Sequence, residues 1–190
     1  MEVPAVFGKL NFKQQPDVFV LDAPASFLPM MNEIAELVGV HTRLGRVRNV
    51  VFALQFATQL KQVEAFAERV AKVAVADATI WVAYPKQSSK RHKSEFNRDT
   101  GWARFGELGF EPVRQAAIDE DSPTLRLRRG EHIQKMTRAF AMTAEGKQKA
   151  SYGRKQGYWK SFLTLPKKPP ASFSSPGEGR LSRRASKARR

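Results

Sequence analysis

The sequence contains no cysteine, which excludes disulfides, zinc–thiolate centres and thiol nucleophiles. Histidine is almost as scarce. His41, His92 and His132 stand far apart, with none of the paired spacings that put two metal ligands on one element. Neither G-x-G-x-x-G nor G-x-x-x-x-G-K-[ST] occurs, so the backbone cradle of classical dinucleotide and triphosphate sites is missing. No apolar run approaches membrane-spanning length, and Met1-Glu2-Val3-Pro4 lacks the charged start and apolar core of a signal peptide. A cytoplasmic protein with no membrane association, no metal and no cofactor is expected.

Acidic residues are nearly absent from the C-terminal stretch. From Gly146 to Arg190 thirteen Lys or Arg face the single acid Glu178, a net +12 of the chain's +15. Residues 1–145 are left with only +3. The 190 residues, 42 % hydrophobic and 27 % charged, suit one globular domain with an appendage rather than two domains. Residues 1–145 are read as that domain. Residues 146–190, interrupted by Pro166, Pro169, Pro170 and Pro176, are read as a disordered basic tail that cannot bury enough apolar area to offset its ordering entropy. Within it, Tyr158-Trp159-Lys160-Ser161-Phe162-Leu163 is an aromatic cluster suited to docking on the domain or on a partner.

Three short apolar runs are present: Asp17 to Asp22, Asn49 to Gln55 and Ala78 to Tyr84, each ending at a polar residue or a proline. Such runs read as strands buried on both faces. Between the first two, Phe27, Met30 or Met31, Ile34 and Leu37 or Val38 recur at helical spacing, with Ser26 as a candidate N-cap and Gly39 at the end. Val40 to Leu44 is a weaker strand candidate. Leu60, Val63, Ala67, Val70 and Ala74 share one face of a second helix that starts after Thr58, and Asp77 is read as a turn. A third helix is expected over Phe96 to Leu108, weakened by Gly101 and Gly106. Pro112 to Ile118 and Thr124 to Arg128 flank the acidic turn Asp119-Glu120-Asp121-Ser122-Pro123, with Leu125 and Leu127 alternating with Arg126 and Arg128, as in a hairpin with one wet face. Ile133, Met136 and Phe140 suggest a last helix. The expected fold is α/β: a small three-layer Rossmann-like sheet, mostly parallel, with a C-terminal antiparallel hairpin.

Open α/β sheets bind ligands beyond the carboxyl ends of their strands. That rule selects Asp22, Tyr84, Lys86, Lys90, Arg91, Asn97, Arg98 and Asp99 as candidate ligand-binding residues in one cleft. Asp22 would accept from a ribose or amine, or cap the next helix. Lys86, Lys90, Arg91 and Lys93 would hold a phosphate or carboxylate, or form a solvated loop. Ser88, Ser89 and Ser94 lack an assignable base, so no catalytic residue is named. Asp119, Glu120 and Asp121 lack calcium-loop spacing and read as a turn.

The ordered segments V-L-D-A-P (20–24), W-V-A-Y-P-K (81–86), N-R-D-T-G-W (97–102), A-I-D-E-D (117–121), L-R-L-R (125–128) and E-H-I-Q-K-M-T-R (131–138) resemble an uncharacterised bacterial domain-of-unknown-function family, DUF3052-like, over about residues 5 to 148. The resemblance implies a truncated Rossmann-like sheet comparable to the second half of a class I methyltransferase, in a family some of whose members accompany segments of the YdeI/OmpD-associated type. It carries no established activity. Two positions depart from the family pattern, which has Asn in place of Asp22 and a Trp-Ser pair in place of Ser122-Pro123.

The leading functional expectation is a non-catalytic module that binds a ligand or partner and uses its tail for non-specific association with RNA or DNA. In the tail, Arg154, Lys155, Lys160, Lys167, Lys168, Arg183, Arg184, Lys187, Arg189 and Arg190 would neutralise phosphates, while Tyr158 and Trp159 stack on bases. The alternative is a diverged S-adenosylmethionine-dependent methyltransferase-like enzyme. A third reading is a protein-docking domain, including a homodimer formed through the edge hairpin.

Overall fold

A strand covered on both faces has no polar side to show, and the three apolar runs become the middle of a sheet for that reason. The computed structural model describes residues 2–90, 92–134, 141–144 and 146–148. In chain order its elements are α1 (Ala5–Lys9), β1 (Asp17–Leu21), a 3-10 turn (Ala25–Phe27), α2 (Leu28–Ala35), β2 (Gly39–His41), β3 (Val50–Phe56), α3 (Leu60–Val73), β4 (Ala74–Ala83), α4 (Ala103–Glu107), β5 (Phe110–Ala117), β6 (Pro123–Arg129) and a second 3-10 turn (Gly130–His132).

The six strands form one sheet in the order β2-β1-β3-β4-β6-β5. β2, β1, β3 and β4 run parallel, and β6 is antiparallel to both of its neighbours. The fold is therefore mixed α/β, mostly parallel with an antiparallel pair at one end. Side-chain alternation divides the core into two layers. On one face Phe19, Ala53, Ile80, Val82, Leu125 and Leu127 pack under α3 and α4 through Val63, Phe66, Val70 and Phe105. On the other, Val18, Val20, Phe52, Leu54 and Trp81 pack under α1 and α2 through Phe7, Met31 and Ile34. Trp81 is fully buried, and its indole Nε1 donates to the Leu10 carbonyl at 2.7 Å, which fastens the N-terminal segment to the sheet.

Several local expectations are corrected. Ser26 caps no helix: Pro24 precedes the 3-10 turn, and α2 starts at Leu28 with Pro29 in its first turn. α3 starts through a reciprocal cap, with the Gln62 side chain accepting from the Thr58 and Gln59 amides at 2.9 and 3.0 Å. Asp77 is not a turn, because α3 passes directly into β4 at Ala74 and Asp77 lies within that strand. The helix expected over Phe96 to Leu108 shortens to α4. Asn97 Oδ1 accepts from the Asp99 and Thr100 amides in a local turn. Gly101 follows at φ +96°, so close to Phe96 that a side chain there would strike the Phe96 Cβ.

The acidic turn after β5 is closed by its own groups. Asp119 accepts from the Asp121 amide and the Ser122 hydroxyl. Beyond Ile133, Met142 and Thr143 return to the sheet, where the fully buried Glu111 accepts from both of their amides and from the Thr143 hydroxyl. Buried Gly146 packs against the same carboxylate. Met136 and Phe140, expected in a last helix, lie outside the described residues, as does the stretch 149–190. No described helix is long and apolar enough to cross a membrane.

Candidate functional site

Strand order reverses between β1 and β3. The chain leaves β1 toward β2 on one side and later returns to β3 on the other, so the connecting loops diverge above the carboxyl ends of the two strands. The polar termini of the apolar runs meet there. Gln55, the last buried residue of β3, is 3 % exposed, and its Nε2 donates to Asp22 Oδ2 at 2.8 Å and to the Phe56 carbonyl at 2.6 Å. A buried amide needs partners to offset its lost hydration, and here one partner is the exposed carboxylate at the top of β1. Among the described residues no group hydrogen-bonds Asp22 Oδ1.

Asp22 adopts φ +52°, left-handed backbone in which a Cβ costs on the order of 1 kcal/mol. The turn that a glycine would make freely is thus made by an acid, held by Gln55. Pro24, two residues on, has no amide hydrogen to offer.

Two clefts adjoin this carboxylate and share Asp22 and Gln62 in their walls. One, of about 220 Å³, lies over the ends of β3 and β4 and is lined by Phe56, Ala57, Ala83, Tyr84 and Pro85, with Thr58, His92 and Ser122 at its polar rim. The other, of about 420 Å³, lies between the loop after β2 and the first turns of α3, and brings Thr42, Arg43, Lys61 and Arg69 around Asp22 and Gln55. The pair therefore combines an apolar slot, a carboxylate at the junction and a cationic wall. The α3 start that supplies Lys61 and Gln62 is further fixed by Glu95, whose Oε2 accepts from the Leu60 amide at 2.8 Å. A third cleft, of about 550 Å³, opens far from the reversal, between α4, Arg129 and residues 142–144.

Of the residues expected in one cleft, Asp22 and Tyr84 line it. Tyr84 is buried against Phe96 and Trp102, with ring centroids 5.5 and 5.7 Å away. Lys86, Lys90, Asn97, Arg98 and Asp99 are not among the lining residues of either cleft. The Lys86 amide is spent on the Asp121 carbonyl at 2.9 Å, and Asn97 and Arg98 turn their carbonyls to the Trp102 indole. Arg98 pairs loosely with its neighbour Asp99 at 3.9 Å, both side chains being exposed. Arg91 lies outside the described residues, as do all the tail residues from Arg154 to Arg190 expected to contact nucleic acid.

Sequence reasoning placed Gln55 at a strand end beside the cleft but missed Arg43, Lys61, Gln62, Arg69 and His92. The signal for Gln55 is that it is the one polar residue inside the apolar run from Val50 to Phe56. The three cations gave none, since a basic loop and the outer face of a helix look alike before the topology is known.

No family model matches the chain, and no curated protein does. Among solved structures the chain is similar to an S-adenosylmethionine-dependent methyltransferase from Aquifex aeolicus, with 11 % identity over 65 % of this chain and 87 % of that one, at a TM-score of 0.48. It is also similar to the fibrillarin pre-rRNA processing protein of Methanococcus jannaschii, with 10 % identity over 64 % and 68 % of the two chains, at a TM-score of 0.40. The leading expectation of a non-catalytic module with a nucleic-acid-binding tail gives way to its alternative: the Aquifex protein is named a methyltransferase, the class of that alternative. At such low identity the likeness is one of fold, and the case for that alternative rests on the clefts above the strand reversal.

Proposed function

We propose that this protein is a diverged methyltransferase-like enzyme that takes S-adenosylmethionine into the paired clefts at the carboxyl ends of β1 and β3. The observation that carries the reading is the junction at Asp22, where a carboxylate with one open oxygen stands between an apolar slot and a cationic wall. The donor set fits each end of that molecule. The slot floored by Phe56, Ala83 and Tyr84 accepts a flat ring, Asp22 Oδ1 accepts from a hydroxyl or amine, and Arg43, Lys61 and Arg69 attract a carboxylate.

One departure shapes the site. With no glycine turn after β1, backbone amides cannot cradle the ligand's charged end, and the cations of the β2 loop and α3 take that task. S-adenosylmethionine, when bound, supplies an electrophilic methyl group. The chain's own contribution is to orient it through Asp22 and Gln55 and to exclude water from the apolar slot.

Calorimetric titration of the full chain with S-adenosylmethionine and S-adenosylhomocysteine tests the reading. Binding is expected, and Asp22→Gly, which keeps the left-handed turn while deleting the carboxylate, should weaken it by about tenfold to a hundredfold. Circular dichroism of that variant should match the parent, since glycine adopts this backbone without strain. Absence of heat at millimolar ligand, or equal affinity in Asp22→Gly, refutes the proposal.

A further inference from the structure

A second polar feature lies away from the clefts, on the face of β6 and β5 that looks toward the α1 and α2 layer. Arg126 stands opposite Trp81 of β4 on one side and opposite Arg114 of β5 on the other, so the three side chains share that face. Arg128, two residues along β6, joins them. Like charges placed directly across a strand pair repel, and the local acceptors offset only part of this. Arg128 donates through Nε and a terminal nitrogen to the two oxygens of Asp77 at 2.6 and 2.8 Å. Arg114 reaches only a neutral partner among the described residues, Asn11 Oδ1 at 2.9 Å.

Arg126 has less. Its Nε is enclosed, and no described residue accepts from it. Burial first, and the charge of Arg128 second, push this guanidinium below its ordinary range. Beside it on the same face, opposite Ala83, the hydroxyl of fully buried Thr124 is also without a partner among the described residues. Three guanidiniums against the Asp77 carboxylate sum to +2, and Glu111, opposite Arg128 across β5, spends its carboxylate on the Met142 and Thr143 amides and the Thr143 hydroxyl.

We infer that this face binds a phosphate dianion, with Arg126 as the central donor, Arg114 and Arg128 flanking it and the Thr124 hydroxyl alongside. A phosphate or phosphate monoester carries about −1.5 to −2 at neutral pH, which matches the local excess better than a single carboxylate does. Its several oxygens can accept from the guanidinium fork of Arg126 and from a hydroxyl together. The site is independent of the methyltransferase reading and stands or falls without it.

Thermal unfolding of the full chain, followed by circular dichroism at constant ionic strength set with chloride, tests the inference. Inorganic phosphate at about ten times its dissociation constant should raise Tm by about 3 °C. Arg126→Met should abolish the rise and leave Tm without phosphate equal or higher, because a half-buried charge repelled by Arg128 and Arg114 has gone. Should Arg126→Met fail to fold, Arg114→Gln provides the same test, with most of the rise lost. A parallel arm with glycerol phosphate separates the two sources of the anion: a larger rise than with inorganic phosphate points to an esterified ligand, and a smaller one to the free ion. An equal rise in parent and variant, or no rise in the parent, overturns the inference.

Discussion

The parallel half of the sheet and the antiparallel pair at its end handle polar side chains in opposite ways. β1, β3 and β4 are sheathed on both faces, so their polar groups are pushed to the strand ends, where Asp22, Gln55 and Thr58 rim the two adjoining clefts. β6 is apolar on one face through Leu125 and Leu127 and carries Arg126 and Arg128 on the other. The first arrangement builds a site from loops above a rigid platform; the second builds one on the platform's own surface. Chemistry in this protein is therefore to be sought at the edge of one half and on the face of the other.

The seam between the halves is Trp81, buried under α1 and facing Arg126 across the ladder. Trp81→Ala should cost about 4 kcal/mol in urea unfolding. If the halves are one cooperative unit, a single transition moves to lower urea, whereas a split into two transitions would show that they fold separately. A smaller effect is expected within the hairpin half. Glu111→Gln places an amide N–H₂ against one of the three donors the carboxylate satisfies, and should cost about 2 kcal/mol. Hydrogen exchange should then accelerate at the Met142 and Thr143 amides while those of β1 and β3 stay protected.

The smallest effect sharpens the comparison at the arginine face. Hydrogen bonding to Arg128 holds the Asp77 carboxyl below its usual value, against an opposing push from burial. A lowered folded-state pKa means that this stabilisation is fully present above the ordinary carboxylate range and is lost as pH falls through the folded value. The Asp77 side chain is 55 % exposed, so the contribution is under about 1 kcal/mol. Acid titration of stability should show a shallower decline in Asp77→Asn than in the parent, with the difference confined to that acidic window.

Much of the platform was legible because burial on both faces leaves a plain mark, an unbroken apolar run. The hairpin was legible for the opposite reason, its alternation of leucine and arginine. α1 escaped notice: its five residues contain Gly8 and follow Pro4, and only packing of Phe7 and Leu10 under the sheet holds them helical. The expected helix over Phe96 to Leu108 failed because the Asn97 turn and Gly101 take its first half into a loop folded on Trp102. Of the site, the strand-end residues Asp22 and Tyr84 could be read from a rule about strand ends. Arg43, Lys61 and Arg69 could not, since their convergence depends on which strands become neighbours. Neighbourhood is decided by long-range pairing, which leaves no local trace.

The place of β6 between β4 and β5 also has a consequence for how the chain is made. β5 is synthesised before β6 but, among the described residues, pairs with it alone, so as it leaves the ribosome it has no berth in the growing sheet. The parallel half can assemble in order of emergence. The last two strands must join together, after Arg129 has been added, and until then β5 waits as a strand with its backbone hydrogen-bonding groups unpaired.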